Sequence, residues 1–129
     1  MDNKLPVLIV EDDKVLCTAL VDKFSASGFN VSSASNGDEG LKKALNDHPY
    51  LIVLDLTMPK KDGWQVLEEL RKDSWGVGIP VIILTNSPVD DVNQGVDKIV
   101  KFQPSYYFLK TDIDLDFLII KVKELLKLE

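Results

Sequence analysis

Short apolar runs alternate with amphipathic stretches along the whole chain, and the two periods predict strands and helices in turn. Residues 5–10 form a β-rich run in which Pro6 is tolerated near the start. Asp13 then opens a helix with Val15, Leu16, Ala19, Leu20 and Phe24 at helical spacing, ending near Gly28. Residues 29–34 alternate like a strand. Asn36 caps a second helix carrying Leu41, Ala44 and Leu45, and His48-Pro49 stops it. Residues 50–54 are a continuous apolar strand ending at Asp55. A loop leads to a third helix from about Asp62, with Trp64, Val66, Leu67 and Leu70 on its apolar side. Pro80 precedes a strand over 81–84 that ends at Thr85. A weaker helix is expected over 89–102, with Val92, Val96, Ile99 and Val100 at helical spacing. The fifth strand covers 106–109 and ends at Lys110, and a helix over 113–128 closes the pattern.

Five strands alternating with five helices imply parallel pairing through right-handed crossovers, so the predicted class is α/β, doubly wound. Nearly uniform apolar strands agree with a sheet covered on both faces. In such sheets ligands bind beyond the carboxyl ends of the strands. Length narrows the picture further: 129 residues is a common single-domain size, so one domain over 1–129 is expected. The single cysteine, Cys17, excludes an internal disulfide, and its place in a helical pattern reads as a small hydrophobe. A net charge of −6, with no Lys/Arg-rich stripe, argues against direct nucleic-acid binding. No apolar run approaches a membrane span, and the first residues lack the layout of a signal peptide, so a cytoplasmic location is expected.

Chemistry concentrates at the strand ends. The first strand delivers Glu11 and Asp12, with Asp13 directly after them, the third Asp55, the fourth Thr85 and the fifth Lys110. Two unit charges about 4 Å apart repel by about 4 kcal/mol at an effective dielectric of 20, so clustered carboxylates need a positive partner beyond one lysine. A hard divalent cation suits oxygen ligands, and Mg2+ suits a site that also handles phosphate. Asp13 reads as a helix cap. Asp55, followed by a loop, is explained less well by capping and better as a functional acid able to form an acyl phosphate. Thr85 either donates a hydrogen bond to a phosphoryl oxygen or caps the segment after it.

The stretch Asp55-Leu56-Thr57-Met58-Pro59-Lys60-Lys61-Asp62-Gly63 resembles the D-x-x-M-P-x-x-D-G segment of response-regulator receiver domains. With Val10-Glu11-Asp12-Asp13, Thr85 and the Tyr107…Lys110 pair, the resemblance runs from about Leu5 to Leu128. It implies a flavodoxin-like sheet of order 2-1-3-4-5, with Asp55 as phosphoacceptor. It also implies a Mg2+ site made by Glu11, Asp12, Asp55 and the backbone carbonyl of Thr57, Asp12 being the direct ligand of the acidic pair. Lys110 would pair with the phosphoryl group, Thr85 would move toward it, and Tyr107 would turn inward behind Thr85. The implied phosphodonor is a phosphohistidine on a sensor histidine kinase or phosphotransfer protein. His48, beside Pro49 in a turn, reads as a surface residue instead. The implied output is a shift of the face formed by the fourth helix, fifth strand and fifth helix, read by a protein partner or a fused output domain, as a monomer or a phosphorylation-dependent dimer. Met58-Pro59 is expected to stiffen the loop, Asp62 to cap the third helix, and Gly63 to allow close packing or a left-handed backbone.

Three positions depart from the family pattern. Thr111 follows Lys110 where Pro is usual, so a trans bond is expected there. Asn86 follows Thr85 where a small residue is usual, and Gln103-Pro104 replaces a Gly-Ala turn. These departures keep an alternative in view, a pseudo-receiver that binds partners without being phosphorylated. A haloacid-dehalogenase-like enzyme would place a second Asp two residues after the nucleophile, where Thr57 stands. A flavin-binding domain would need a phosphate-cradling loop where the acidic Glu11-Asp12-Asp13 run lies. The chain is therefore read as a signalling protein and not an enzyme.

Overall fold

Residues 4–58, 61–86 and 99–128 are described by the computed structural model of the protein. Five strands lie in one parallel sheet: β1 (Pro6–Val10), β2 (Asn30–Ala34), β3 (Leu51–Asp55), β4 (Val81–Thr85) and β5 (Tyr106–Leu109). Their order is β2-β1-β3-β4-β5, as the resemblance implied. The helices are α1 (Lys14–Ala26), α2 (Gly37–Asp47), α3 (Gly63–Lys72), a helical turn at residues 99–102 designated α4, and α5 (Leu115–Leu125). The remainder of the expected fourth helix, with Val92 and Val96, lies outside the described residues, as does Pro59.

The apolar strands split their side chains between two cores, which is why they read as continuous runs and not as alternations. Leu8, Val10, Ile52, Leu54, Val81 and Ile83 pack on one face with Ala44 of α2, Val66, Leu67 and Leu70 of α3, and Phe102. Val7, Ile9, Leu51, Val53, Ile82 and Leu84 pack on the other with Leu20 and Phe24 of α1 and Leu118, Ile119 and Val122 of α5. Edge strand β2 is only partly covered, Val31 packing toward the α1 side and Ala34 buried on the α2 side while Asn30 and Ser32 are exposed. Val15 is a correction: counted with the apolar side of α1, it is 81% exposed on the first turn, beside the strand ends.

Caps end the helices where the letters indicated. The Asp13 carboxylate accepts hydrogen bonds from the amides of Val15 and Leu16, at 3.0 and 3.3 Å. Asn36 accepts from the Glu39 amide at 2.9 Å. Asp62 and Gln65 form a reciprocal capping box at the start of α3. His48 closes α2 in the left-handed region at φ 49° and stacks on Trp75, ring centroids 4.3 Å apart. Two short 3-10 turns, Gly76–Gly78 and Lys110–Asp112, were not foreseen. Among the described residues no peptide bond is cis, the Lys110-Thr111 bond included. Nor is any helix among them long and apolar enough to cross a membrane.

Candidate functional site

Strand register brings the candidate residues together. Val10 of β1 lies opposite Leu54 of β3, so Glu11 and Asp55 leave adjacent strands side by side. Asp55 in turn pairs with Leu84, and Thr85 with Leu109, which sets Thr85 and Lys110 one position further along the same edge. The Glu11 amide donates to Ala34 O at 3.0 Å and so continues the β1–β2 ladder past its last assigned residue. Glu11 and Asp55 are 2% and 1% exposed, and Thr85 is also buried. Asp12 is exposed at the rim.

Lys110 is the cation of this pocket. Its Nζ lies 2.9 Å from Glu11 Oε1, 3.0 Å from Glu11 Oε2 and 3.1 Å from Asp55 Oδ1. Asp55 Oδ1 also accepts the Thr57 amide at 3.1 Å, and Glu11 Oε2 accepts the Asp13 amide at 3.0 Å. One ammonium thus faces two buried carboxylates and the exposed Asp12, so negative charge is in excess. The Asp55 carboxyl is pushed up to about 7, first by burial and then by the Glu11 charge, against the pull of the Thr57 amide and Lys110. Burial pulls the Lys110 ammonium down, but its hydrogen bonds and charge pairing with Glu11 and Asp55 outweigh that and hold it above its ordinary value.

The donor set fits a hard cation. Carboxylate oxygens of Glu11, Asp12 and Asp55 all lie within 4.8 Å of one another. Asp55 Oδ2 and Glu11 Oε1 are buried without a hydrogen-bond partner, although Glu11 Oε1 has the Lys110 charge beside it. Oxygen-only donors carrying excess negative charge match Mg2+ better than a soft metal.

The loop after Asp55 is held from inside. Leu56 and Met58 are buried in the core cluster under α2 and α3, and the Gly63 amide donates to Leu56 O at 2.9 Å. A Cβ on Gly63 would lie 2.4 Å from Asp55 O, so this glycine serves close packing and not a left-handed backbone. Thr57 is exposed. Tyr107 on β5 is half-buried, its ring stacked near Trp64 of α3 at 6.4 Å between centroids. Cys17 is half-buried against the core under α1, and burial pushes its thiol up, away from reactivity.

Sequence reasoning missed the Thr57 amide as a partner of Asp55. It also missed Arg71, which donates to the carbonyls of Phe102 and Gly76 at 2.7 Å, Ile79 at 2.9 Å and Gln103 at 3.1 Å. An arginine at the end of a helix gives no hint in the letters of four acceptors spread over two later loops.

Comparison with known proteins agrees with this geometry. The model of the response regulator receiver domain family matches residues 7–115. The probable transcriptional regulator ycf27 of Porphyridium aerugineum is 40% identical over 96 residues, covering 74% of this chain and 39% of that protein. The chain therefore spans less than half the length of this curated relative. Among solved structures, the receiver domain of Francisella response regulator 1452 superposes with a TM-score of 0.82 at 31% identity, covering 96% of this chain and 98% of the other. The receiver domain of a Pseudomonas aeruginosa sensor histidine kinase, with a magnesium ion coordinated in its active site cleft, shares the fold at 21% identity and a TM-score of 0.82, over 94% and 96% of the two chains. Sheet order, the acidic strand ends and a family match over most of the length converge on one conclusion: the chain belongs to the response regulator receiver domain family.

Proposed function

We propose that the chain acts as one receiver unit in which Asp55 accepts a phosphoryl group from a phosphohistidine of a sensor histidine kinase or phosphotransfer protein. The observation that carries this is the state of the Asp55 carboxylate. One oxygen is fixed by Lys110 and the Thr57 amide, while the buried second oxygen has no hydrogen-bond partner and sits among Glu11 and Asp12. A structural acid would have both oxygens satisfied.

Glu11, Asp12, Asp55 and the Thr57 carbonyl would hold Mg2+. Bound there, the ion supplies charge neutralisation and polarisation of phosphoryl oxygens. The chain's own groups do the rest. In the transfer a carboxylate oxygen of Asp55 bonds to phosphorus as the phosphorus–nitrogen bond of the donor breaks, leaving the electron pair on the imidazole. Lys110, already 3.1 Å from Asp55, offsets the charge that arrives. Thr85, at the end of the adjacent strand, donates to a phosphoryl oxygen. Tyr107 couples that movement to the face of α4, β5 and α5, where a protein partner or output domain reads it.

Phosphorylation adds close to two negative charges. Moving an equilibrium from 1:99 to 99:1 takes about 5.5 kcal/mol, a range such a change can supply. Replacing Thr85 by Ala would then separate phosphorylation from partner binding. The relative described as a probable transcriptional regulator supports an output in transcription, exerted through a further domain or partner, since this acidic chain has no basic stripe of its own.

The test is intact mass after incubation with acetyl phosphate, with and without Mg2+, for wild type and Asp55→Asn. The expected result is a Mg2+-dependent gain of one phosphoryl group in wild type and none in the variant. No gain in wild type, even with a panel of histidine kinases, would favour a pseudo-receiver that binds partners unphosphorylated. A gain surviving in Asp55→Asn would place the acceptor elsewhere.

A further inference from the structure

We infer that Trp64 is a positioning residue for Tyr107: from the first turn of α3 it holds that ring inward over the sheet, and so sets how readily phosphorylation moves the output face. The two rings stack with 6.4 Å between centroids and 22° between planes, within the range of offset aromatic pairs. They meet on the face of the sheet that carries Thr85. Val81 and Ile83 of β4 belong to the core cluster against which Trp64 and Tyr107 both pack. Thr85, two positions after Ile83, lies on the same side of the strand. Tyr107 is opposite Ile83 in the β4–β5 register. The stack therefore ties α3 to β5 across β4, one pleat from the residue proposed to donate to the phosphoryl group.

Of the two partners, Trp64 is the fixed one. It follows Gly63, whose amide donates to Leu56 O at 2.9 Å. A Cβ on Gly63 would lie 2.4 Å from Asp55 O and 2.7 Å from Leu56 Cα, so the start of α3 rests directly on the backbone of the acceptor. The capping box of Asp62 and Gln65 closes the same turn, and Val66 and Leu67 are buried directly after it. Tyr107 is the partner able to move. It stands on β5, an edge strand of four residues that are all only half-buried. A strand aromatic has two common staggered positions at χ1, and its neighbours decide between them. Trp64 favours the inward one.

This deepens the proposed reading of the pocket and rests on it. When phosphorylation favours the inward ring, whatever holds the ring inward favours the phosphorylated state by the same factor. Trp64→Leu keeps apolar contact with the core and removes the stack. It should weaken Mg2+-dependent binding of beryllium trifluoride, a phosphoryl mimic that binds a carboxylate, by about five-fold. Trp64→Phe keeps a ring and should recover most of that loss.

Two readouts separate positioning from a general loss of stability. In a Tyr107→Leu background, Trp64→Leu should change the affinity for the mimic by less than about two-fold, because the group through which it acts is gone. The Tyr107 ring protons, followed by NMR, should be displaced by the Trp64 ring in wild type. They should move toward their free values in Trp64→Leu and stay displaced in Trp64→Phe. Wild-type affinity in Trp64→Leu, equal losses in the two backgrounds, or Tyr107 shifts that ignore Trp64→Leu would each overturn the inference, since Trp64 would then serve the core and not Tyr107. A wild type that binds no beryllium trifluoride would overturn the phosphorylation reading instead, and the ring shifts would still confirm or overturn the hold of Trp64 on Tyr107.

Discussion

Asp55 keeps its proton to unusually high pH, and that has a measurable price in stability. Its carboxyl is raised from 3.8 to about 7 in the folded protein, by burial first and by Glu11 second. Between about pH 4 and 7 the unfolded chain has released this proton and the folded chain has not, so the unfolded state binds fewer protons and stability falls as pH rises. Above about 7 the two states match and the loss is complete. Urea unfolding in the presence of a chelator, run from pH 4 to 8, should show this fall in wild type relative to Asp55→Asn. At pH 8 the variant should be more stable by roughly 2 kcal/mol. A difference that stays flat with pH would mean that Asp55 is ionised throughout. The place of the Asp55 carboxyl at a strand end, near the acids of β1, was legible in the sequence. Its altered acidity was not, because burial and the approach of Glu11 arise only when β1 and β3 pair.

At the scale of elements, one arginine joins what the strands do not. Arg71, from the last turn of α3, bonds two carbonyls around the Gly76–Gly78 turn and β4 entry, and two more at the end of α4. The latter pair matters because Gln103 closes α4 at φ 50°, a left-handed position that glycine fills more cheaply. A positive charge at a helix C-terminus is favourable in itself, and the fork of the guanidinium suits several carbonyls at once. Arg71→Met should cost about 3 kcal/mol in chemical denaturation, since it removes four hydrogen bonds from a charged donor, three of them part-buried, and Arg71→Lys should recover less than half of that. Hydrogen exchange should localise the loosening to the 102–105 turn and the entry to β4. A loss below about 0.5 kcal/mol in Arg71→Met would show that water replaces these bonds freely. The Gln103-Pro104 departure from the family turn was visible in the letters, whereas the compensation by Arg71, some thirty positions earlier, was not.

For the whole molecule, the sheet brings charges from three strands to one edge at an energetic cost that a bound cation would repay. A ligand that binds only the folded state at a hundred times its dissociation constant stabilises it by about 2.7 kcal/mol. Mg2+ should therefore raise the thermal midpoint of wild type by several degrees, and that of Asp55→Asn by much less. Equal shifts in both would point to a cation bound away from this pocket. The letters of the chain record what short-range chemistry controls. The alternation of apolar runs with helical periods sets the five strands and the helices, and Asp13, Asn36 and Asp62 announce caps because each acts on amides two or three residues away. The string of acids, hydroxyl and lysine at successive strand ends follows from the same pattern. Tertiary structure alone decided which of those ends are neighbours, how deeply each is buried, that Val15 faces outward, and that a glycine of α2 leaves room for a carbonyl of the loop after β3. Those are properties of register and of close approach between distant segments, where a single methyl group or one step of strand pairing changes the outcome and no local pattern records it.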